Sequence, residues 1–232
     1  MSALPKASII LPTYNEKENI EACLRQIARL QLVVEIIVVD DASPDGTAQL
    51  VRSLAAHYPV RVIERTGKLG LASALMAGME EARSEIFICM DADLSHDTAI
   101  IPQMIRAVQL GNDVAIGSRF VSGGGMLGWP LRRQAMSWFA TRIAQVMLGI
   151  RERDPMSGYF AVRRDVYTRI AHTLRPRGYK LLVEILVRAR PLQTTEIGYV
   201  FQDRQYGKSK ISFTIAREYA QMILALLFRS QK

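Results

Sequence analysis

An alternation of two hydrophobic periods through the first 117 residues constrains this chain more than any other feature. Short apolar runs with many β-branched residues, at 7–11, 35–39, 60–63, 86–90 and 114–116, are separated by stretches of helical period at 17–30, 47–57, 72–82 and 100–110. Strand, helix, strand in succession predicts parallel pairing, because a parallel connection needs a crossover long enough to hold a helix. The expected fold class is therefore α/β, a doubly wound, Rossmann-like and mostly parallel sheet. Asn15 followed by Glu18 has capping-box spacing and predicts the start of the first helix.

The second half is less regular. Gly123-Gly124-Gly125 predicts a loop, 131–148 an apolar helix carrying arginines, 157–162 a strand, 180–188 a helix and 195–201 another strand. A polar loop over 202–212 then leads to a final apolar helix at 213–228. No Pro- or Gly-rich linker divides the chain, so a single domain over 1–232 is expected. At 232 residues and 49% apolar it can bury a large core, which excludes disorder.

Charge divides the chain where periodicity does. Residues 1–117 carry 10 basic and 15 acidic side chains, whereas 118–232 carry 20 and 7, within a net charge of +8. An acidic half joined to a basic half predicts one surface for cations and another for anions. Cys23 and Cys89 both lie in apolar stretches and read as buried thiols of a reducing compartment. The first residues lack the charged-then-apolar layout of an export signal, and no run approaches the ~20 apolar residues of a membrane span. The dispersed histidines and cysteines offer no zinc-ligand spacing.

In an open α/β sheet, ligands bind beyond the carboxyl ends of the strands. The chemically unusual residues of this chain collect there: Pro12-Thr13-Tyr14-Asn15-Glu16, Asp40 to Thr47, Lys68, Asp91-Ala92-Asp93, and Gly117-Ser118-Arg119. Asp91 and Asp93, one residue apart after an apolar strand, read either as a solvated turn or as oxygen ligands for Mg²⁺ or Mn²⁺. Asp40 and Asp41 are candidates to accept from a ribose or a base edge. The turn after the first strand has no glycine, which disfavours a dinucleotide oxidoreductase, and no P-loop is present. What remains is a nucleotide whose diphosphate is held through a metal.

These motifs resemble the family-two inverting glycosyltransferases of GT-A fold. Within them, Gly128-Trp129, Arg132-Arg133, Ser157-Gly158-Tyr159, Tyr179-Lys180 and Arg204 to Lys210 are similar to the polyprenol-phosphate (dolichol-phosphate) mannose synthases. The resemblance implies transfer of mannose from GDP-mannose to a polyprenyl monophosphate, with inversion and a divalent cation. It implies that 1–117 is the nucleotide- and metal-binding half and 118–232 the acceptor- and membrane-facing half. It places the nucleoside on Pro12, Tyr14, Glu16, Val39 and Asp41. The diphosphate and metal fall on Asp91, Ala92, Asp93 and Ser95, with Arg119, Lys180, Arg204 and Lys210 also on the nucleotide sugar. Ser95 replaces a Gln found in some relatives; its hydroxyl is the weaker ligand and binds the metal directly, through water, or not at all.

The acceptor side follows from chemistry. The Gln-x-x-Arg-Trp motif by which relatives supply a base is absent, and a phosphate monoester with a second pKa near ~6 is already ionised at neutral pH. It needs cations, not a base, and Arg119, Arg133 and Ser137 are the candidates; positions 133 and 137 share a helix face. Gly207-Lys208-Ser209-Lys210 is the candidate lid. The helices at 131–148 and 213–228 are expected to lie in a membrane surface, placing the protein peripherally on the cytoplasmic face, with a small membrane subunit as a possible partner. A nucleic-acid-binding module is disfavoured, because no such motif appears and the acidic rim would repel phosphate. A polyprenyl-phosphate glucosyltransferase using UDP-glucose stays open, since the motifs define the diphosphate better than the sugar.

Overall fold

The computed structural model describes residues 6–175, 180–203 and 213–228. Arg204, Lys210, the candidate lid and Tyr179 lie outside the described residues.

The first half folds as its periodicity predicts. Strands β1 (Ala7–Thr13), β2 (Val34–Asp40), β3 (Val60–Glu64), β4 (Ile86–Cys89) and β5 (Val114–Ser118) alternate with helices α1 (Lys17–Ala28), α2 (Thr47–Leu54), α3 (Leu71–Glu81) and α4 (Ile101–Gln109). The strands are continuous apolar runs because both faces of the sheet are covered. Helices α1, α2 and α4 bury Ile20, Leu24, Val51 and Ile105 against one face, where Ile9, Leu11 and Val38 point. On the other face Ile10, Ile37 and Val39 meet α3 and the helices of the second half.

That second half supplies β6 (Gly125–Leu127), α5 (Leu131–Leu148), β7 (Phe160–Arg163), α6 (Arg164–Ile170), α7 (Leu181–Arg188), β8 (Thr194–Gly198), β9 (Val200–Gln202) and α8 (Phe213–Leu227). The seven-stranded sheet has the order β3-β2-β1-β4-β7-β5-β8. Only β7 runs antiparallel, between β4 and β5, and this brings Ser157-Gly158-Tyr159, just before it, to the same rim as the ends of β4 and β5.

Three local expectations are corrected. Asn15 does not cap α1: it is left-handed at φ 61°, and Glu16 occupies the cap position without a side-chain cap. Asn tolerates that conformation better than most residues, so it serves the turn instead. The expected loop at 123–125 contributes Gly125 to β6, which pairs with β9 in a separate two-stranded sheet. The strand expected over 195–201 breaks after Gly198, where an added Cβ would stand 2.2 Å from the Ser122 carbonyl oxygen. Only glycine allows the two backbones to pass so closely.

Candidate active site

At the end of β1, buried Thr13 donates from its hydroxyl to Asp40 Oδ1 at 2.9 Å. Asp40 also accepts from Ser43 Oγ at 2.6 Å and from Ser43 N at 2.8 Å, and so closes the turn after β2. Asp41 accepts from Arg65 Nε at 2.5 Å and from the amides of Leu69 and Gly70, each at 2.9 Å. The Asp41 side chain, expected at a ribose or base edge, is 6% exposed and bonds to the 65–70 loop. What faces outward is Tyr14, with Lys68 Nζ 3.9 Å from its ring centre. Pro12 and Val39 are buried register partners one residue short of these strand ends. Glu16, half-buried, accepts from Asn19 Nδ2 at 2.7 Å.

The turn after β4 carries Asp91, Ala92 and Asp93. Ala92 and Asp93 are buried. Asp93 Oδ1 accepts from Ser95 N at 3.1 Å and Ser95 Oγ at 2.5 Å. Ser95, expected as a metal ligand, donates its hydroxyl hydrogen to the Asp93 carboxylate and so orients it. Asp91 N donates to His96 Nδ1 at 3.0 Å. Beneath them burial, together with the charges of Asp93, Glu16 and Asp91, pushes the Cys23 thiol up to about 12. Three carboxylates from two strand ends thus act on one point. Among the described residues no cluster of three or more metal-ligating side chains forms. Two hard oxygen donors still fit Mg²⁺ or Mn²⁺, which typically takes one or two carboxylates and completes its shell with phosphate and water.

After β5 comes Arg119, held by a residue that the sequence reading did not single out. Asp154 Oδ2 accepts from Arg119 N at 2.9 Å and Nε at 2.8 Å, and Oδ1 accepts from Nη2 at 2.7 Å. Burial works against the guanidinium charge, and the hydrogen bonds and charge of Asp154 more than offset it, leaving the Arg119 pKa raised. Arg119, expected to meet the nucleotide sugar and the acceptor phosphate, thus has Nε and Nη2 engaged by Asp154. Asp154 had one legible signal, as one of three acids among the eleven arginines of 118–177.

Lys180, at the start of α7, donates to the Met156 carbonyl at 2.9 Å. Burial lowers its pKa to about 8; the Arg119 charge acts in the same direction, while Asp154 and Asp91 oppose it. Lys180, Arg119, Asp154 and Asp91 therefore share one electrostatic field at the rim.

The family profile described as Glycosyl transferase family 2 matches residues 8–170. The chain belongs to that family. Among curated proteins it is 42% identical over 226 residues to the dolichol-phosphate mannosyltransferase of Pyrococcus furiosus, covering 96% of this chain but 64% of the relative, just under two thirds of its length. It is 37% identical over 218 residues to the polyprenol monophosphomannose synthase of Mycolicibacterium smegmatis, covering 90% of this chain and 82% of the relative. Among solved structures it resembles glucosyl-3-phosphoglycerate synthase of Mycobacterium tuberculosis in complex with Mn²⁺, UDP and glucosyl-3-phosphoglycerate, at TM-score 0.69 and 21% identity over 97% of this chain and 80% of that one. It also resembles a mannosyltransferase of Pyrobaculum calidifontis in complex with GDP-Man and Mn²⁺, at TM-score 0.64 and 20% identity over 99% and 65%. These likenesses show the GT-A fold.

In this family 2 glycosyltransferase the basic half meets the rim around Trp129. Its ring lies 5.6 Å from the Arg119 guanidinium carbon and 3.8 Å from that of Arg133, and packs edge-on against Phe201 at 5.1 Å. Arg133 Nη1 donates to Asp203 Oδ1 at 3.0 Å. Ser137, half-buried, stands one turn along α5. The structure thus brings Arg119 and Arg133 to one indole, which spacing alone did not disclose. Further along α5, Leu131, Trp138, Phe139 and Val146 are 81, 56, 62 and 76% exposed. No helix among the described residues is long and apolar enough to cross a membrane.

Proposed function

We propose that this glycosyltransferase moves mannose from GDP-mannose to the phosphate of a polyprenyl monophosphate, with inversion at the anomeric carbon. One observation carries the reading: Arg133, braced on Trp129 beside the rim, heads a helix whose outer side is apolar. A phosphate joined to a long hydrocarbon chain needs that pair of surfaces. The names of the two curated relatives support it, as does the GDP-Man of the Pyrobaculum calidifontis structure.

In this reading Asp91 and Asp93 hold Mg²⁺ or Mn²⁺, with Ser95 orienting Asp93. A bound cation there supplies charge for the departing diphosphate. Lys180 adds a positive charge from a half-buried position, and Arg119 is oriented beside it by Asp154, whose carboxylate offsets its charge. Tyr14 and Lys68 form the outer wall for the nucleoside. The acceptor phosphate arrives already ionised, so an oxygen attacks the anomeric carbon as the carbon–oxygen bond to the diphosphate breaks, and no proton needs a protein base.

Exposed Trp138 and Phe139 on α5 and Phe228 after α8 support the reading that these helices lie in the surface of a membrane, on its cytoplasmic face. A small membrane subunit could cover part of the same apolar side. Transfer from GDP-mannose and from UDP-glucose, with Mn²⁺ and a short polyprenyl phosphate, tests the reading. Mannosyl-phosphoryl-polyprenol is the expected product; preferential turnover of UDP-glucose would overturn it.

A further inference from the structure

His96 is part of the motif after β4, yet nothing in the proposed chemistry uses it. We infer that His96 is a positioning residue that fixes the backbone of Asp91, and through it the cation site. The inference rests on the reading of Asp91 as a cation ligand.

The sheet ladder fails where the site begins. Met90 N donates to Ile10 O of β1 at 3.3 Å; the Asp91 amide points to the opposite side, where pairing with β7 ends at Cys89 and Phe160, and donates instead to the side chain of His96 at 3.0 Å. The imidazole thus takes over from the neighbouring strand as the partner of that amide. Because Nδ1 accepts, the ring's hydrogen sits on Nε2 and the imidazole is neutral.

The ring is well placed to hold the turn still. It is 3% exposed, stacks on Tyr159 at 4.9 Å and 30°, and meets the edges of Tyr199 at 5.6 Å and Phe201 at 5.7 Å. Between Asp91 and His96 the chain passes through Leu94 at φ 64°, an unfavourable conformation for a branched side chain. Such backbone persists only where its surroundings over-determine it, and the clamp at His96 is that restraint. Gly158 completes the fit: a Cβ there would stand 3.8 Å from His96 Cε1 and 3.9 Å from Asp91 Oδ2, so ring and carboxylate face the same spot.

Packing and hydrogen bonding can be separated. In H96F the ring contacts stay and the acceptor is lost. In H96N the side-chain oxygen stands at the topological position of Nδ1, so the acceptor stays and the ring is lost. Mn²⁺ binding in the presence of GDP, read from the electron paramagnetic resonance of free Mn²⁺, is independent of turnover. H96F should weaken Mn²⁺ binding about 10- to 100-fold, the usual effect of losing an outer-shell partner, and H96N by less than about threefold on the same scale. If H96F does not fold, H96Q, whose acceptor lies beyond the Asp91 amide, takes its place with the same expected loss. Equal losses in H96N and H96F, or wild-type affinity in H96F, would overturn the role of His96 alone. A wild-type chain that binds no Mn²⁺ with GDP present would overturn the reading of Asp91 and this inference with it.

Discussion

Arg119 and Asp154, 35 positions apart, are joined by three hydrogen bonds, two from the guanidinium and one from the Arg119 amide, and their side chains are 8% and 0% exposed. One carboxylate therefore fixes both the backbone and the guanidinium at the end of β5. Removing one member of a buried pair strands the other's charge, which costs about 3–5 kcal/mol, whereas replacing both by apolar groups is often neutral. Asp154→Ala should lose stability of that order in urea denaturation, and Arg119→Met with Asp154→Leu should recover most of it while remaining inactive. A double variant no more stable than Asp154→Ala would show that the pair is not the source of the loss.

Lys180 gives the site a pH signature of two signs. Its pKa is lowered by burial from 10.5 to about 8, so the charge offered to a diphosphate is present below about 8 and lost above it. Affinity for GDP, measured by calorimetry, should fall as pH rises through the high sevens and eights, with a midpoint raised by the bound anion. Stability of the free chain should move the other way. Between about 8 and 10.5 the unfolded lysine binds a proton that the folded one does not, so stability rises with pH across that window. Lys180→Met should abolish both slopes.

Arg133, proposed to hold the acceptor phosphate, lies over Trp129, away from Asp91 and Asp93 in the chain, and pairs with Asp203 at the surface. Arg133→Ala should remove a charged hydrogen bond worth about 1.5–3 kcal/mol, roughly a 10- to 150-fold rise in KM for polyprenyl phosphate. GDP binding should be nearly unchanged. Arg133→Lys should rescue little, because a lysine reproduces neither the planar stack nor the fork.

The outer side of α5 can be altered without touching the core. Trp138 and Phe139 are 56% and 62% exposed, so Trp138→Ser with Phe139→Ser should leave the thermal midpoint nearly unchanged. Flotation with anionic vesicles should show reduced association, since each buried aromatic is worth about 1.5–3 kcal/mol. Unchanged flotation would remove α5 from the membrane surface.

What could be read from the chain divides along range. The positions of β1 to β5 and α1 to α4 follow from periodicity, because burial imposes its pattern on each segment separately. So does the gathering of Asp91, Asp93 and Arg119 at one rim, which needs only the strand direction. The use made of each carboxylate does not follow. Asp40 and Asp41 are adjacent in the chain, but their partners are Thr13 and Ser43 for one and Arg65 with the 69–70 amides for the other. Ser95 was legible as part of the metal motif, whereas its donation to Asp93 depends on the left-handed turn at Leu94. Asn15 read locally as a cap because its side chain suits one, and the same tolerance lets it adopt φ 61° instead.

The reversed strand β7 has a consequence for how this molecule comes apart. The acidic first half ends with β4 and β5, yet these strands never touch; β7, which belongs to the basic half, lies between them and bonds to both. The change of charge near residue 117 is thus a chemical seam with no mechanical counterpart. A chain cut there would leave β4 with an open edge and β5 without a neighbour on either side. The halves should therefore melt in a single transition, and neither the turn of Asp91 and Asp93 nor the Arg119–Asp154 pair should survive on its own.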